Sequence, residues 1–244
     1  MQRAAVRRRS SRQSSAAEKT SQRVGGARMF FEYGEREMEA LSKKDEALAG
    51  VIARVGKIER EVDDDLFSSV VHHIVGQQIS TKAQAGIWRR MQESLDAVTP
   101  DAVLAADRQT LQSFGMSYRK VDYIREFAQK VSDGSFDLQS LWHKPDDKVI
   151  AELVSLRGVG IWTAEMILLF CMQRPDIFSF HDLAIVRGVR MLYHHSAVSK
   201  KLFETYRARF SPYGSVASLY LWAVAGGALP ELTDLGAAQG EKGK

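Results

Sequence analysis

The stretch that decides the fold is Ser155–Phe170, "SLRGVGIWTAEMILLF", in which Gly158 and Gly160 sit between two apolar helical runs. Glycine is the weakest ordinary helix former, so two of them at one junction mark a turn. Two readings fit the turn. Gly158 and Gly160 either end one helix and let the next pack closely against it, or they bare the backbone so that a ligand can approach. In the second reading the free N–H groups and dipole of the following helix form an anion site, to which Thr163 adds a hydroxyl.

Working outward, helical periodicity runs almost continuously from Glu35. "DDDLFSSVVHHIVG" begins with acids and carries Leu66, Val70 and Ile74 on one stripe. A new helix begins after Ser80, and "TPDAVLAA" offers Thr99 as cap with Pro100 at the first helical position. "LQSFGMSYRKVDYI" is a second helix–turn–helix, hinged at Gly115. No segment alternates as strands do, so the expected class is all-α. The helical core is expected over residues 29–230, with a frayed tail from 231 to 244.

Charge is unevenly spread. The chain carries +4 overall, yet residues 1–28 hold eight basic residues against Glu18 alone. That is +7, which leaves −3 for residues 29–244. Residues 1–28 also lack large apolar side chains, so they read as a disordered basic tail, either a nucleic-acid-attracting arm or a dispensable extension. A core of net negative charge must bind any anion through local patches. The single Cys171 excludes an internal disulfide, a cysteine-rich zinc site and a four-cysteine iron–sulfur cluster, and reads as a buried, inert thiol. The His72–His73 and His194–His195 pairs do not suggest a metal site, because adjacent helical residues point about 100° apart. No apolar run is long enough to span a membrane.

Further along, "PDIFSFHDLAIVRG" places Asp182 at the start of an amphipathic helix, where an aspartate is ordinarily only an N-cap. The ordered set L-x-G-V-G-x-W-T-A, an apolar helix, a connector and D-x-A-x-x-R-G resembles the helix–hairpin–helix DNA glycosylase superfamily. "IVGQQISTKAQAGI", "LQSFGMSYRKVDYIREFA" and "FSPYGSVASLYLW" are similar to segments of its compact, alkylation-repair branch, the 3-methyladenine glycosylase II type. The resemblance runs from about residue 64 to residue 226.

The resemblance implies a two-lobed helical fold with the active-site cleft between the lobes. It also implies hydrolysis of the N-glycosidic bond of alkylated purines (3-methyladenine, 7-methylguanine), with hypoxanthine as a further substrate, in duplex DNA after base flipping. Asp182 would be the catalytic carboxylate. Trp162 and Tyr213 would line an aromatic base pocket, with Phe180, His181 and Tyr118 as further candidates. Gln78 would wedge into the gap left by the flipped base, beside Gln77 and Ser80. Gly158, Gly160, Thr163, Lys82, Arg119 and Lys120 would grip phosphates. The carbonyls of Val154, Leu156 and Val159 would hold a monovalent cation, Na+ or K+, with no other cofactor required.

Family members that also cut the strand carry a lysine where this chain has Trp162, so no Schiff base forms and the enzyme is expected to lack β-lyase activity. It is also expected to lack the extra N-terminal β-rich domain of longer relatives. The expected partner is damaged double-stranded DNA, bound by a monomer in the cytoplasm at a bacterial nucleoid or in a eukaryotic nucleus. Two alternatives stay open: a glycosylase for deaminated or mismatched bases, and a non-catalytic helix–hairpin–helix DNA-binding protein.

Overall fold

The computed structural model describes residues 29–236, so the basic tail expected at 1–28 lies outside the described residues. Thirteen helices make up this part. They are α1 (Glu35–Lys44), α2 (Glu46–Val55), α3 (Leu66–Gly76), α4 (Thr81–Leu95), α5 (Pro100–Ala105), α6 (Arg108–Ser113) and α7 (Tyr118–Ser132). Then follow α8 (Leu138–Leu141), α9 (Asp146–Val154), α10 (Ile161–Phe170), α11 (Leu183–Leu192), α12 (Lys200–Phe210) and α13 (Gly214–Ala225). Among the described residues the only extended pairing is an isolated bridge between Phe30 and Glu61.

Local chemistry sets the helix starts. Asp45, Asp65, Ser80, Thr99, Asp107, Ser117, Asp137, Asp182 and Ser199 each accept a backbone N–H from the first turn that follows. Pro100 occupies the first turn of α5, as its fixed φ and missing N–H favour.

The helices form two groups. In one, α3 packs on α4, α7 and α10, α7 on α5 and α6, and α10 on α9. In the other, α13 is the hub for α1, α2, α11 and α12. The chain starts in the second group, crosses to the first at α3 and returns at α11, so each group needs the other to complete it. α10 is buried from Thr163 to Leu169, which is why its sequence is apolar all round. α11 and α13 approach so closely that a Cβ on Gly188 would lie 2.3 Å from the Leu221 carbonyl oxygen.

Burial pushes the Cys171 thiol up to about 12, in keeping with an inert side chain. The C-terminal boundary expected at 230 lies too early. Asp234 pairs with Arg190 on α11 through both carboxylate oxygens, and Leu232 packs on the core. No helix among the described residues is long and apolar enough to cross a membrane.

Candidate active site and DNA-facing hairpin

Asp182 sits where the chain crosses from one helix group to the other. It is only 6% exposed, and its carboxylate accepts four hydrogen bonds. Oδ1 accepts the N–H groups of Ala184 and Ile185, both at 2.9 Å, which makes it the N-cap of α11. The same oxygen accepts the indole N–H of Trp222 on α13 at 3.1 Å. Oδ2 accepts the indole N–H of Trp162 on α10 at 2.9 Å. One carboxylate thus joins both helix groups, and four donors fix its plane.

The rim above Asp182 is aromatic and apolar. Trp162 is 43% exposed although it hydrogen-bonds a buried acid, and Leu183 beside it is 84% exposed. Phe170 stacks on Trp222 with ring centroids 5.4 Å apart, and the Arg60 guanidinium covers its ring at 4.9 Å. This arrangement keeps apolar surface facing solvent next to an oriented anion, as a site for a flat, electron-poor ring requires.

Other expected pocket residues take different places. Phe180 packs edge-on against Phe203, with centroids 5.2 Å apart, and so belongs to the wall of the core. His181 is exposed and turns Nδ1 toward Glu165 Oε2 at 3.5 Å. Tyr213 is half-buried at the N-cap of α13, and no ring contact links it to either tryptophan. Tyr118 lies at the start of α7 with the Arg108 guanidinium 4.3 Å from its ring centre. Its ring thus pairs with a side chain of α6.

The hairpin α9–turn–α10 answers the question raised by its two glycines, and the answer differs for each. Gly158 has φ +86, and a Cβ there would lie 2.4 Å from the Tyr123 ring. It is needed for the turn and for packing. Gly160 has φ −97 and nothing within 4 Å of its missing side chain, so its bareness serves open space. No side chain caps α10, whose first-turn N–H groups therefore face outward. Thr163, in the first turn of α10, is 4% exposed, so most of its side chain is packed inside the protein.

The loop between α3 and α4 is held against this hairpin. Gln77 donates its side-chain amide to the Gly158 carbonyl at 2.5 Å. Lys120 donates to the carbonyls of Val75 and Gln77, each at 2.7 Å. Its ammonium serves this loop rather than standing free for phosphate, and burial, with help from Arg119, lowers its pKa. Gln78 is exposed with φ +58, a conformation that costs a non-glycine residue about 1–2 kcal/mol. Ser80 caps α4 through Ala83 N–H, while Lys82 and Arg119 remain exposed.

Two important residues were not singled out from the sequence. Trp222 closes the "SPYGSVASLYLW" segment, but its reach to Asp182 spans 40 positions. Glu165 had a signal, since it is a charged residue inside an otherwise apolar helical run.

The pattern of HhH-GPD superfamily base excision DNA repair proteins matches residues 71–212, more than half the chain. DNA-3-methyladenine glycosylase 1 of Schizosaccharomyces pombe is 25% identical over 161 residues, which cover 64% of this chain and 71% of that protein. YfjP of Bacillus subtilis is 25% identical over 170 residues, 66% of this chain, but the match spans only 59% of that relative's length. The crystal structure of a DNA-3-methyladenine glycosidase from Bacillus halodurans superposes with a TM-score of 0.74 at 30% identity, covering 87% of this chain and 99% of that one. A hairpin with an outward-facing helix N-terminus, an aspartate capping the next helix and a matched pattern across both lead to one assignment: this chain belongs to the HhH-GPD superfamily of base excision DNA repair proteins.

Proposed function

We propose that this protein is a monofunctional DNA glycosylase that hydrolyses the N-glycosidic bond of alkylated purines flipped out of duplex DNA. The observation that carries the reading is the Asp182 carboxylate, held by the Trp162 and Trp222 indoles beneath an exposed aromatic rim. The names of its relatives, DNA-3-methyladenine glycosylases of fission yeast and Bacillus halodurans, support the same substrate class.

Loss of the base leaves an oxocarbenium-like sugar. The fixed anion of Asp182 stabilises that positive charge and directs a water molecule to the anomeric carbon. A base made cationic by alkylation leaves as a neutral molecule, so no strong general acid is required of the site. Stacking on Trp162 favours such a ring by about 0.5–2 kcal/mol. The position two residues after Gly160 holds this tryptophan and no amine, which supports hydrolysis without strand cleavage.

Gln78, projecting in a strained conformation from a loop clamped to the hairpin, fits the wedge that fills the vacated stack. The α10 N-terminus with Gly160 fits a phosphate grip, and the exposed Lys82 and Arg119 are further basic contacts for the DNA backbone. The Val154 and Val159 carbonyls take no backbone N–H among the described residues, while the Leu156 carbonyl accepts that of Val159. These oxygens suit a monovalent cation that would link the turn to a phosphate. The partner is damaged double-stranded DNA, bound by a monomer wherever the genome is held.

The test is base release from oligonucleotide duplexes carrying 7-methylguanine, 3-methyladenine or hypoxanthine, with strand breaks scored before and after hot alkali. Release with breaks only after alkali is expected. DNA binding without release of any base would reduce the protein to a binding module.

A further inference from the structure

One buried acid has no part in this chemistry. Glu165 is 8% exposed within α10, where an ionisable group is costly unless other groups hold it. Both of its contacts come from the turn that ends at Asp182. Ser179 Oγ donates to Glu165 Oε2 at 2.5 Å, and His181 Nδ1 lies 3.5 Å from the same oxygen. Ser179 is itself fully buried. Its hydroxyl oxygen accepts the His181 N–H at 3.2 Å, and its carbonyl accepts the Asp182 N–H at 3.4 Å.

These bonds make a continuous path from the Glu165 side chain to the Asp182 backbone. Trp162 and Glu165 are three residues apart, so they share a face of α10. One helix face therefore holds Asp182 twice. Trp162 fixes its carboxylate, and Glu165 fixes the turn that presents it. An apolar side chain of similar size at 165 would fill the same space without a desolvation cost, but it would leave the Ser179 hydroxyl without an acceptor.

We propose that Glu165, acting through Ser179, is a positioning residue that sets the place of the Asp182 carboxylate. The inference rests on Asp182 being the reacting group, but it can be tested apart from that reading. The indole N–H signals of Trp162 and Trp222, assigned with Trp→Phe variants in ¹⁵N-labelled protein, report directly on the hydrogen bonds to Asp182. Glu165→Ala and Ser179→Ala are expected to move both signals. Glu165→Gln, which keeps an oxygen acceptor for Ser179, is expected to leave them near their wild-type positions.

In single-turnover assays on 7-methylguanine, Glu165→Ala and Ser179→Ala are expected to slow base release about ten- to a hundredfold. Their affinity for duplex DNA is expected to stay unchanged, with Glu165→Gln restoring most of the rate. If folded Ser179→Ala keeps both indole signals and the wild-type rate, the proposal is overturned. If wild type releases no base, the glycosylase reading fails, and the indole signals alone still decide whether Glu165 positions Asp182.

Discussion

The indole nitrogen of Trp162 lies 2.9 Å from Asp182 Oδ2, which makes the exposed ring of the site and its buried carboxylate a single unit. The other carboxylate oxygen is shared between the α11 cap and Trp222. The two oxygens therefore do different work, one holding the helix and the other holding the ring.

That division predicts the behaviour of Asp182→Asn. Asparagine is as good an N-cap as aspartate, so the cap is kept, and stability is expected to fall by about the 1.5–3 kcal/mol of the lost Trp162 bond. Its amide oxygen can keep the cap and the Trp222 bond, but its NH2 then faces the Trp162 N–H, donor against donor. Base release should be lost while duplex binding persists. Undiminished release by a folded Asp182→Asn protein would remove the carboxylate from the reaction.

Trp162→Phe and Trp222→Phe should differ in kind. A hydrogen bond to a charged group contributes about 1.5–3 kcal/mol, so either change is expected to slow the chemical step about ten- to a hundredfold. Trp222 lies beneath Phe170, so its loss should leave substrate affinity alone. Trp162 is also rim, and its loss should weaken binding of the damaged duplex over the undamaged one. Equal effects on rate and affinity in the two variants would contradict this separation.

The fold was legible because its signals are local. Ser80, Thr99 and Asp182 announce helix starts, and the run from Ala164 to Leu169, apolar but for Glu165, announces a central helix. What sequence does not carry is direction around a helix that is apolar on every side. Thr163 follows Trp162 directly, yet Trp162 is 43% exposed and Thr163 only 4%. Lys120 and Phe180 were hidden for another reason, since only tertiary packing turns the ammonium to two carbonyls of a distant loop and the ring toward Phe203. Trp222 was out of reach because only the closure of α13 on α11 brings it to Asp182.

The two hairpin glycines should separate stability from binding. Alanine at 158 meets the Tyr123 ring at 2.4 Å and takes a positive φ, so Gly158→Ala is expected to lower stability by about 1–3 kcal/mol. Gly160→Ala meets nothing within the protein at an ordinary φ, and its cost should stay below about 1 kcal/mol. If Gly160 exists for close approach to a phosphate, this second variant should nevertheless lose duplex affinity. Calorimetry and binding titrations on both proteins check the pair, and full affinity in Gly160→Ala would return that glycine to a turn-forming role.

Lys120, Lys82 and Arg119 are all basic residues on the helices that flank or hold the Gln77–Gln78 loop, but only the last two are exposed. Removing a phosphate contact lowers the slope of log K against log salt by about 0.9. Lys82→Ala and Arg119→Ala should each reduce the slope by about that amount. Lys120→Met should leave it unchanged, and instead loosen the Gln77–Gln78 loop and slow base release. A slope change in Lys120→Met equal to that of Lys82→Ala would make it a phosphate ligand after all.

A pH dependence of stability follows from His73. Burial lowers its imidazole pKa. The Ser69 carbonyl at 2.8 Å from Nδ1 opposes the shift, the neighbouring His72 adds to it and Asp63 opposes it. In the unfolded chain the ring has its ordinary value near 6.5. Below that value the unfolded state takes up a proton that the folded state resists, so stability falls as pH falls. Asp63 is held below the usual carboxylate range: burial raises it, but the polar groups around it, chiefly His72 with Nδ1 4.0 Å from Oδ2, outweigh that. Its contribution is therefore lost only at still lower pH, which leaves the window from pH 7 to 5 to the imidazole. The melting temperature of wild type should drop across that window, and the drop should be smaller in His73→Gln. Parallel drops in the two proteins would show that His73 is not the group that titrates.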